Sequence, residues 1–311
     1  GQGGSVMMAN QLALVKRELW EHRSIWLTPL SIAVVTILMA ATGLAIGDGF
    51  RYAADMAVVG ASNVGDAERR ALLIGALSGV TILFVLAMCI LIVFYCLDSL
   101  YAERKDKSIL FWRSLPITDT ETIVSKLLVA AVAIPLVTLA AVMATQLANL
   151  VIMSFWISAK GGSPGHLLWD FGAIFDIWGA TLIFLFALPL WLAPFLGWFL
   201  FVSAFSKRSP ILIAFLPIVV LPMLERMVFG TKLLAHAFFV RSAQPPLFDK
   251  GVISPEMFED EGIRLSADTV SVLSVIDLGR FLASPSLWVG LLVCALFATA
   301  AVYVRRYRDE S

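Results

Sequence analysis

Long apolar runs alternate with short charged segments along the whole chain. Six of the runs reach the roughly 20 residues that a helix needs to cross the hydrocarbon core of a bilayer. They lie near residues 27–47, 71–97, 127–153, 173–205, 210–229 and 286–304. The pattern therefore predicts an all-α polytopic membrane protein with six transmembrane helices.

The fourth apolar run, 173–205, is too long for one straight span and contains Pro189 and Pro194. A single kinked or tilted helix is the preferred interpretation, because proline removes backbone hydrogen bonds and bends helices. The alternative is a re-entrant pair of half-helices, which would reverse the orientation of every later span.

Lysine and arginine concentrate at one set of span ends. More than half of the 23 Lys and Arg residues lie in compact segments on that side. These residues are Lys16, Arg17, Arg23, Arg104, Lys105, Lys107, Arg113, Lys126, Lys207, Arg208, Arg305, Arg306 and Arg308. Because cytosolic loops carry the excess of positive charge, both termini are predicted to be cytosolic.

The composition fits a membrane protein. Hydrophobic residues make up 59% and charged residues 15% of the 311 residues, and the mean hydropathy is +0.88, whereas soluble domains carry about 25% charged residues. A formal net charge of zero gives no reason to expect nucleic acid as a partner. Residues 1–6 are interpreted as a cloning remnant and residues 7–311 as a single transmembrane domain.

Residues 10–26, before the first span, are predicted to form an amphipathic helix. Leu12, Val15 and Leu19 recur at helical spacing, whereas the charged residues Lys16, Arg17 and Glu18 lie on other faces. Such a helix lies along the membrane surface with its apolar side in the interface. A simple interfacial anchor is the plainer interpretation.

The charged segment 98–126 separates the second span from the third. Residues 101–115 are predicted to leave the membrane as a helix, which Pro116 ends. Thr118 and Glu121 have the spacing of a capping box, which starts a new helix. The first helix carries an exposed apolar cluster of Leu110, Phe111, Trp112 and Leu115. Charged and aromatic residues together are typical of a docking surface; an ordinary loop folded against its own spans is the alternative.

The sequence KRELWEHR at 16–23, a second span, and YAERKDKSILFWRSLPITDTETIVSK at 101–126 together resemble the ABC-type transporter permeases of the ABC type-2 class. These are exporter-like transmembrane subunits, in which the segment after the second span is a coupling helix that docks on an ATPase. The residues that match this segment are Glu103, Arg104, Ser108, Ile109, Ser114, Leu115, Pro116, Glu121 and Lys126. Six spans, cytosolic termini and a large external insertion between the last two spans also match.

The resemblance implies an ATPase-docking surface and a set of partners. The docking residues would be Glu103, Arg104, Lys107, Ser108, Leu110, Phe111, Trp112, Leu115 and Pro116. The partners would be two ABC ATPase subunits, a second permease copy or a related permease, and the lipid bilayer of a bacterial inner membrane. The sequence has no G-x-x-x-x-G-K-[ST] motif, so ATP and Mg are expected on the ATPase subunits and no cofactor on this chain.

Polar residues inside the spans are candidates for a cargo path. Thr145, Gln146 and Asn149 cluster on the third span, and Ser78 and Thr81 lie on the second. Hydrogen bonding between helices is the plainer role for these side chains. Few charged residues lie within the spans, which favours a hydrophobic or amphipathic cargo over an ion.

The external insertion, residues 230–285, contains two apolar stripes, the second on a helix predicted to begin at Asp268. These stripes are expected to pack on the outer ends of the spans, and the resemblance implies that part of the insertion re-enters the membrane as a gate. Residues 47–70 are expected only to connect the first two spans.

The sequence therefore predicts a permease subunit of an ATP-driven exporter that moves a drug, peptide, antibiotic or lipid outward. HExxH and GxSxG motifs and metal-spaced Cys/His clusters are absent from the sequence, so the chain is not expected to be an enzyme. The alternative is a membrane-anchored sensor or assembly scaffold that binds a cytosolic protein without transport.

Overall fold

The computed structural model describes residues 2–105, 118–243, 245–248 and 271–308. Within these ranges we number twelve helices: α1 Gln2–Glu21, α2 Ser24–Ile46, α3 Asp48–Asn63, α4 Asp66–Lys105, α5 Asp119–Ala159, α6 Pro164–Leu168, α7 Phe171–Trp191, α8 Ala193–Phe205, α9 Pro210–Phe229, α10 Leu233–Ala243, α11 Leu278–Ala283 and α12 Pro285–Arg308. Helix α5 contains one π-helical turn, Val129–Ala133.

Six helical segments are long and apolar enough to cross a membrane. They are α2, α4, α5, the segment from Pro164 to the end of α7, α9 and α12. Many of their outward-facing side chains are large and apolar, such as Leu30, Val34 and Leu38 on α2, which suits a lipid environment. No β-strand occurs in the described ranges. The predicted all-α class with six apolar helices of spanning length is confirmed.

The fourth apolar run forms two consecutive helices, α7 and α8, with a break at Leu192. Leu192 N still donates to Leu188 O at 2.9 Å, so the chain bends rather than turning back. Near the start of α7, Ile174 packs with Leu73, which lies near the start of α4. Near the end of α8, the Ser203 hydroxyl accepts a hydrogen bond from Tyr101 N, near the end of α4, at 3.0 Å. The two helices therefore follow α4 end to end, which is the geometry of a kinked helix.

Helix α8 lies in the centre of the bundle, against α4 on one side and α12 on the other. Its Gly197 faces α12 so closely that a Cβ atom there would lie 2.8 Å from the Cα atom of Cys294. Small residues allow such close approaches between apolar helices. The largest buried cluster surrounds this crossing and includes Cys96, Phe199 and Leu200.

The two ends of the bundle differ in structure. At one end α1 packs on the start of α5, and the last turns of α12 pack on the same segment. The other end carries α3 and α6. Helices α10 and α11 instead contact the junction of α7 and α8, where Phe238 packs on Phe195 and Phe281 packs on Trp191. Helix α3 was not predicted, because residues 47–70 were expected only to connect two spans.

Two predicted boundaries are wrong. Helix α1 ends at Glu21 instead of continuing through Trp26, and Ser24 already belongs to α2. In the external insertion, Asp268 lies outside the described residues, and the expected continuous helix is interrupted. A short 3-10 turn at Leu273–Val275 is followed by extended backbone at Ile276, and α11 begins only after Asp277, whose side chain caps it through Arg280 N.

Candidate functional site: a buried ion network

Lys126, near the start of α5, lies at the centre of a cluster of buried charges. Its side chain is fully buried between α1 and α4. Its Nζ atom donates to Glu18 Oε1 of α1 at 2.9 Å and lies 3.0 Å from Glu103 Oε1 of α4. One ammonium group therefore joins three helices through two carboxylates.

Two arginines extend this cluster. Arg17 Nη2 lies 2.9 Å from Glu18 Oε1 and 3.1 Å from Glu103 Oε1. Arg305 of α12 places Nη1 2.7 Å from Glu103 Oε2 and Nε 2.8 Å from Asp119 Oδ1, the first residue of α5. We call these residues the ion network: Arg17, Glu18, Glu103, Asp119, Lys126 and Arg305. Its three acids and three bases balance and connect α1, α4, α5 and α12.

Tyr95 and His22 complete the surroundings of Glu18. The Tyr95 hydroxyl donates to Glu18 Oε2 at 2.9 Å, and His22 Nε2 lies 3.6 Å from the same oxygen. The two rings meet edge to face, with their centroids 5.1 Å apart. Both oxygens of the Glu18 carboxylate are therefore held in place.

The start of α5 is fixed by the capping box that the sequence predicted. Thr118 Oγ1 accepts from Glu121 N at 3.1 Å, and Thr118 N donates to Glu121 Oε2 at 2.8 Å. The cap satisfies two backbone N–H groups at the helix start. It also sets the register in which Lys126, two turns later, points into the space between α1 and α4.

Electrostatics keep Glu18 ionised despite its burial. Burial raises the pKa of this carboxyl, but the opposing effects of Lys126, which donates a hydrogen bond, and of Arg17 outweigh it, so the pKa lies below its ordinary value. A buried ion loses several kcal/mol of hydration, which only well-placed partners offset. Neutralising or removing one member would therefore leave its partner as an uncompensated buried charge, which is destabilising.

Stability is expected to fall at acidic pH through Glu18. A carboxyl with a lowered folded-state pKa contributes stability that is complete above its unfolded pKa of about 4.3 and lost as the pH drops through the folded value. The melting temperature in detergent should therefore fall less steeply below about pH 4.3 in Glu18→Gln than in the wild type. Parallel pH profiles for the two proteins would contradict this assignment.

Two of the predicted ATPase-docking residues point into the protein. Glu103 is only 2% exposed within the ion network. Arg104 donates to the backbone carbonyl oxygens of Ser203 and Ser206, at the end of α8. Glu103 therefore has almost no surface left for a docking contact, whereas Arg104 is half-buried and its docking role stays a prediction. The other predicted docking residues lie outside the described residues: Lys107, Ser108, Leu110, Phe111, Trp112, Leu115 and Pro116.

The predicted interfacial helix is partly corrected as well. Lys16 is exposed, as a residue on a polar face should be, and Arg17 is half-buried. Glu18 was assigned to a polar face, yet it is fully buried next to Leu14. Helix α1 is thus held to the bundle by buried ion pairs in addition to apolar contacts. The helical spacing of leucines could not reveal this, because the partners of Glu18 lie far away in sequence.

The five residues predicted for a cargo path do not form one group. Gln146 Nε2 donates to Leu77 O at 2.9 Å and lies 3.1 Å from Thr81 Oγ1, and Trp178 Nε1 donates to Gln146 Oε1 at 2.8 Å. These bonds join α4, α5 and α7, which is the plainer role considered for the polar residues. The Thr145 hydroxyl donates to Ala141 O within its own helix at 2.7 Å.

Ser78 and Asn149 lie outside this joint. Ser78 is half-buried on α4, and the buried Asn149 Oδ1 has no hydrogen-bond partner among the described residues. The structure therefore joins Thr81 and Gln146 by a hydrogen bond. Ser78 lines a groove together with Thr81, and Asn149 lines a different cavity together with Gln146.

Sequence reasoning missed the role of Asp119, Lys126 and Arg305 in the ion network. Lys126 and Arg305 were assigned to cytosolic segments by their charge, without a partner. A signal was present in the sequence, since a single basic residue at the start of a long apolar run must find an acid or reach water. The specific partners of Lys126 and Arg305 depend on how α1 and α12 pack against the bundle.

Comparisons of the chain with protein-family models, with curated proteins and with solved structures found no match.

Proposed function

We propose that the chain is the permease subunit of an ATP-driven ABC exporter in a bacterial inner membrane. It would move a hydrophobic or amphipathic cargo, such as a drug, peptide, antibiotic or lipid, outward. Two separate ABC ATPase subunits would bind ATP and Mg and supply the energy, and a second permease copy or a related permease would complete the complex. The proposal rests on the resemblance of residues 101–126 to a coupling segment and on the ion network that brackets it.

The observation that carries the proposal is the position of the ion network at both ends of the predicted coupling segment. Glu103 precedes residues 106–117 of the segment, and Asp119 and Lys126 follow them. A segment that receives force from a motor must be fixed to the helices that it moves. Here Lys126 and Arg305 fix both ends of the segment to α1 and α12. Removing one partner of a buried ion pair destabilises by about 3–5 kcal/mol, so this connection would resist being pulled apart.

The distribution of charge supports a cytosolic position for the end of the bundle that carries the ion network. Lys16, Arg104, Lys126, Lys207 and Arg305 belong to the segments that the network end of the bundle brings together. An excess of Lys and Arg at one end marks the cytosolic side, where an ATPase could reach it. The mechanism would then be a change in the packing of the bundle that nucleotide binding favours.

Changing Phe111 and Trp112 together to aspartate is expected to abolish co-purification of an ATPase chain. Two new carboxylates would have to be desolvated at an interface that otherwise buries aromatic rings. The test is affinity purification from membranes in mild detergent, with mass spectrometry of the associated chains.

Tyr52→Asp is the matched control for this test. Tyr52 is an exposed aromatic residue on α3, at the opposite end of the bundle, and its replacement should leave the ATPase bound. Retention of the ATPase by the Phe111→Asp, Trp112→Asp protein would contradict the docking role. The wild-type complex provides a second test. If the ATPase co-purifies but its rate of ATP hydrolysis in liposomes does not change when hydrophobic compounds are added, transport is contradicted and the scaffold alternative is favoured.

A further inference from the structure

A groove of about 360 Å³ lies between α4 and α7, away from the ion network. Its walls are almost entirely apolar and include Val85, Ile177 and Phe184. No charged side chain lines it among the described residues. An engineered apolar cavity of about 150 Å³ stays dry and takes up benzene. The present groove is therefore large enough for a longer hydrocarbon group.

One buried hydroxyl in the groove wall has no partner in the part of the chain that the structure describes. Thr181 of α7 is only 2% exposed, and its Oγ1 atom has no hydrogen-bond partner among the described residues. Threonine in a helix usually donates to the carbonyl four residues earlier. Thr145 and Thr81 do so, at 2.7 Å to Ala141 O and 3.2 Å to Leu77 O. A buried hydroxyl left unpaired is unfavourable, so this one points to a missing partner.

A strap from the external insertion forms part of the groove wall. Phe248 pairs with Ile276 in an isolated antiparallel bridge, and both residues line the groove. The buried Asp176 of α7 fixes the strap by accepting from Val272 N at 2.7 Å and from the Ser271 hydroxyl. Phe248 also meets Phe184 of α7, with ring centroids 5.9 Å apart. Phe184, Phe248 and Ile276 therefore form one wall of the groove.

We infer that this groove binds a neutral amphiphile whose hydroxyl or carbonyl group forms a hydrogen bond with Thr181. The apolar walls take its alkyl chain, and the lack of charged lining disfavours an ionised head group. Ser78 and Thr81 also line the groove and would form a polar edge beside the alkyl chain of the ligand. The inference that the groove binds this ligand is independent of the proposed function. Only the further step, that the ligand is the transported cargo, rests on the proposed function.

Photolabelling of the purified chain with a diazirine-bearing octanol tests this inference. The expected labels lie on α4 near Val85 and on α7 near Phe184, and the octane with the same diazirine should label these positions more weakly. Thr181→Val keeps the shape of the side chain and removes the hydroxyl. It should weaken concentration-dependent labelling by the octanol about 3- to 10-fold, the effect of one neutral hydrogen bond.

Thr145→Val is the matched control, since it removes a fully buried hydroxyl from α5 that does not line the groove. It should leave labelling unchanged. The melting temperature of Thr181→Val should equal or exceed that of the wild type, because the variant loses an unpaired buried hydroxyl. Labelling by the octanol that Thr181→Val does not weaken, or equal labelling by octanol and octane, would overturn the inference. No ATPase is present, so this result and the co-purification result can fail separately.

Discussion

Replacing Lys126 with methionine is expected to lower the free energy of unfolding by about 3–5 kcal/mol. Lys126 is fully buried, and its ammonium group is the shared partner of Glu18 and Glu103. Without it the described network carries an excess of one buried negative charge, and both carboxylates lose a charge-assisted hydrogen bond. Thermal unfolding of the purified protein in detergent, followed by helix content, measures the loss.

Two further variants make this prediction specific. Lys160→Met removes a lysine whose ion pair with Asp55 is about half exposed, at 48% and 45%, and should change stability by less than about 1 kcal/mol. Adding Glu18→Gln to Lys126→Met restores charge balance and should recover about 0.5–3 kcal/mol, the usual range for coupled neighbours. A Lys126→Met protein as stable as Lys160→Met would show that the network does not hold α1 to the bundle.

Replacing Gly197 with leucine is expected to destabilise the bundle by at least about 1–3 kcal/mol and to lower the folded yield. The side chain would enter the crossing of α8 and α12, where even a Cβ atom would lie 2.8 Å from the backbone of Cys294. Backbone cannot move away as a flexible side chain can, so the two helices would have to separate. Size-exclusion chromatography and thermal unfolding in detergent report the result.

Gly75→Leu is the control for Gly197→Leu. A Cβ atom at Gly75, on the exposed side of α4, meets nothing within 4 Å. Leucine there should be tolerated in a lipid-like environment and favours helix over glycine by somewhat less than 1 kcal/mol. Equal losses in the two variants would mean that the α8–α12 crossing is less tight than the structure shows.

The sequence predicted those features that local rules determine. The apolar runs located the six long helices, because a bilayer demands continuous apolar segments. Thr118 and Glu121 marked the start of α5, since a capping box involves only residues close in sequence. Pro189 and Pro194 together suggested a kink in the fourth apolar run, and the break lies between them at Leu192, with Pro189 inside α7.

Features that depend on distant packing were missed. Glu18 was assigned to a polar face because its partner Lys126 is 108 residues away in sequence. Glu103 was expected at a docking surface, yet Arg305, which is 202 residues away, binds it inside. Thr181 gave no signal in the sequence, because threonine is common in apolar runs. Only the structure shows that no neighbouring described group forms a hydrogen bond with its hydroxyl.

Labelling position 112 from each side of the membrane tests the proposed function most directly. The test uses a Trp112→Cys variant in which Cys89, Cys96 and Cys294 are replaced by alanine. A membrane-impermeant maleimide would be added to intact cells and to inside-out vesicles. A cytosolic segment would be labelled only in inside-out vesicles, where the cytosolic face is accessible. Labelling in intact cells would place this segment outside the cell, out of reach of any ATPase, and would contradict the proposed function.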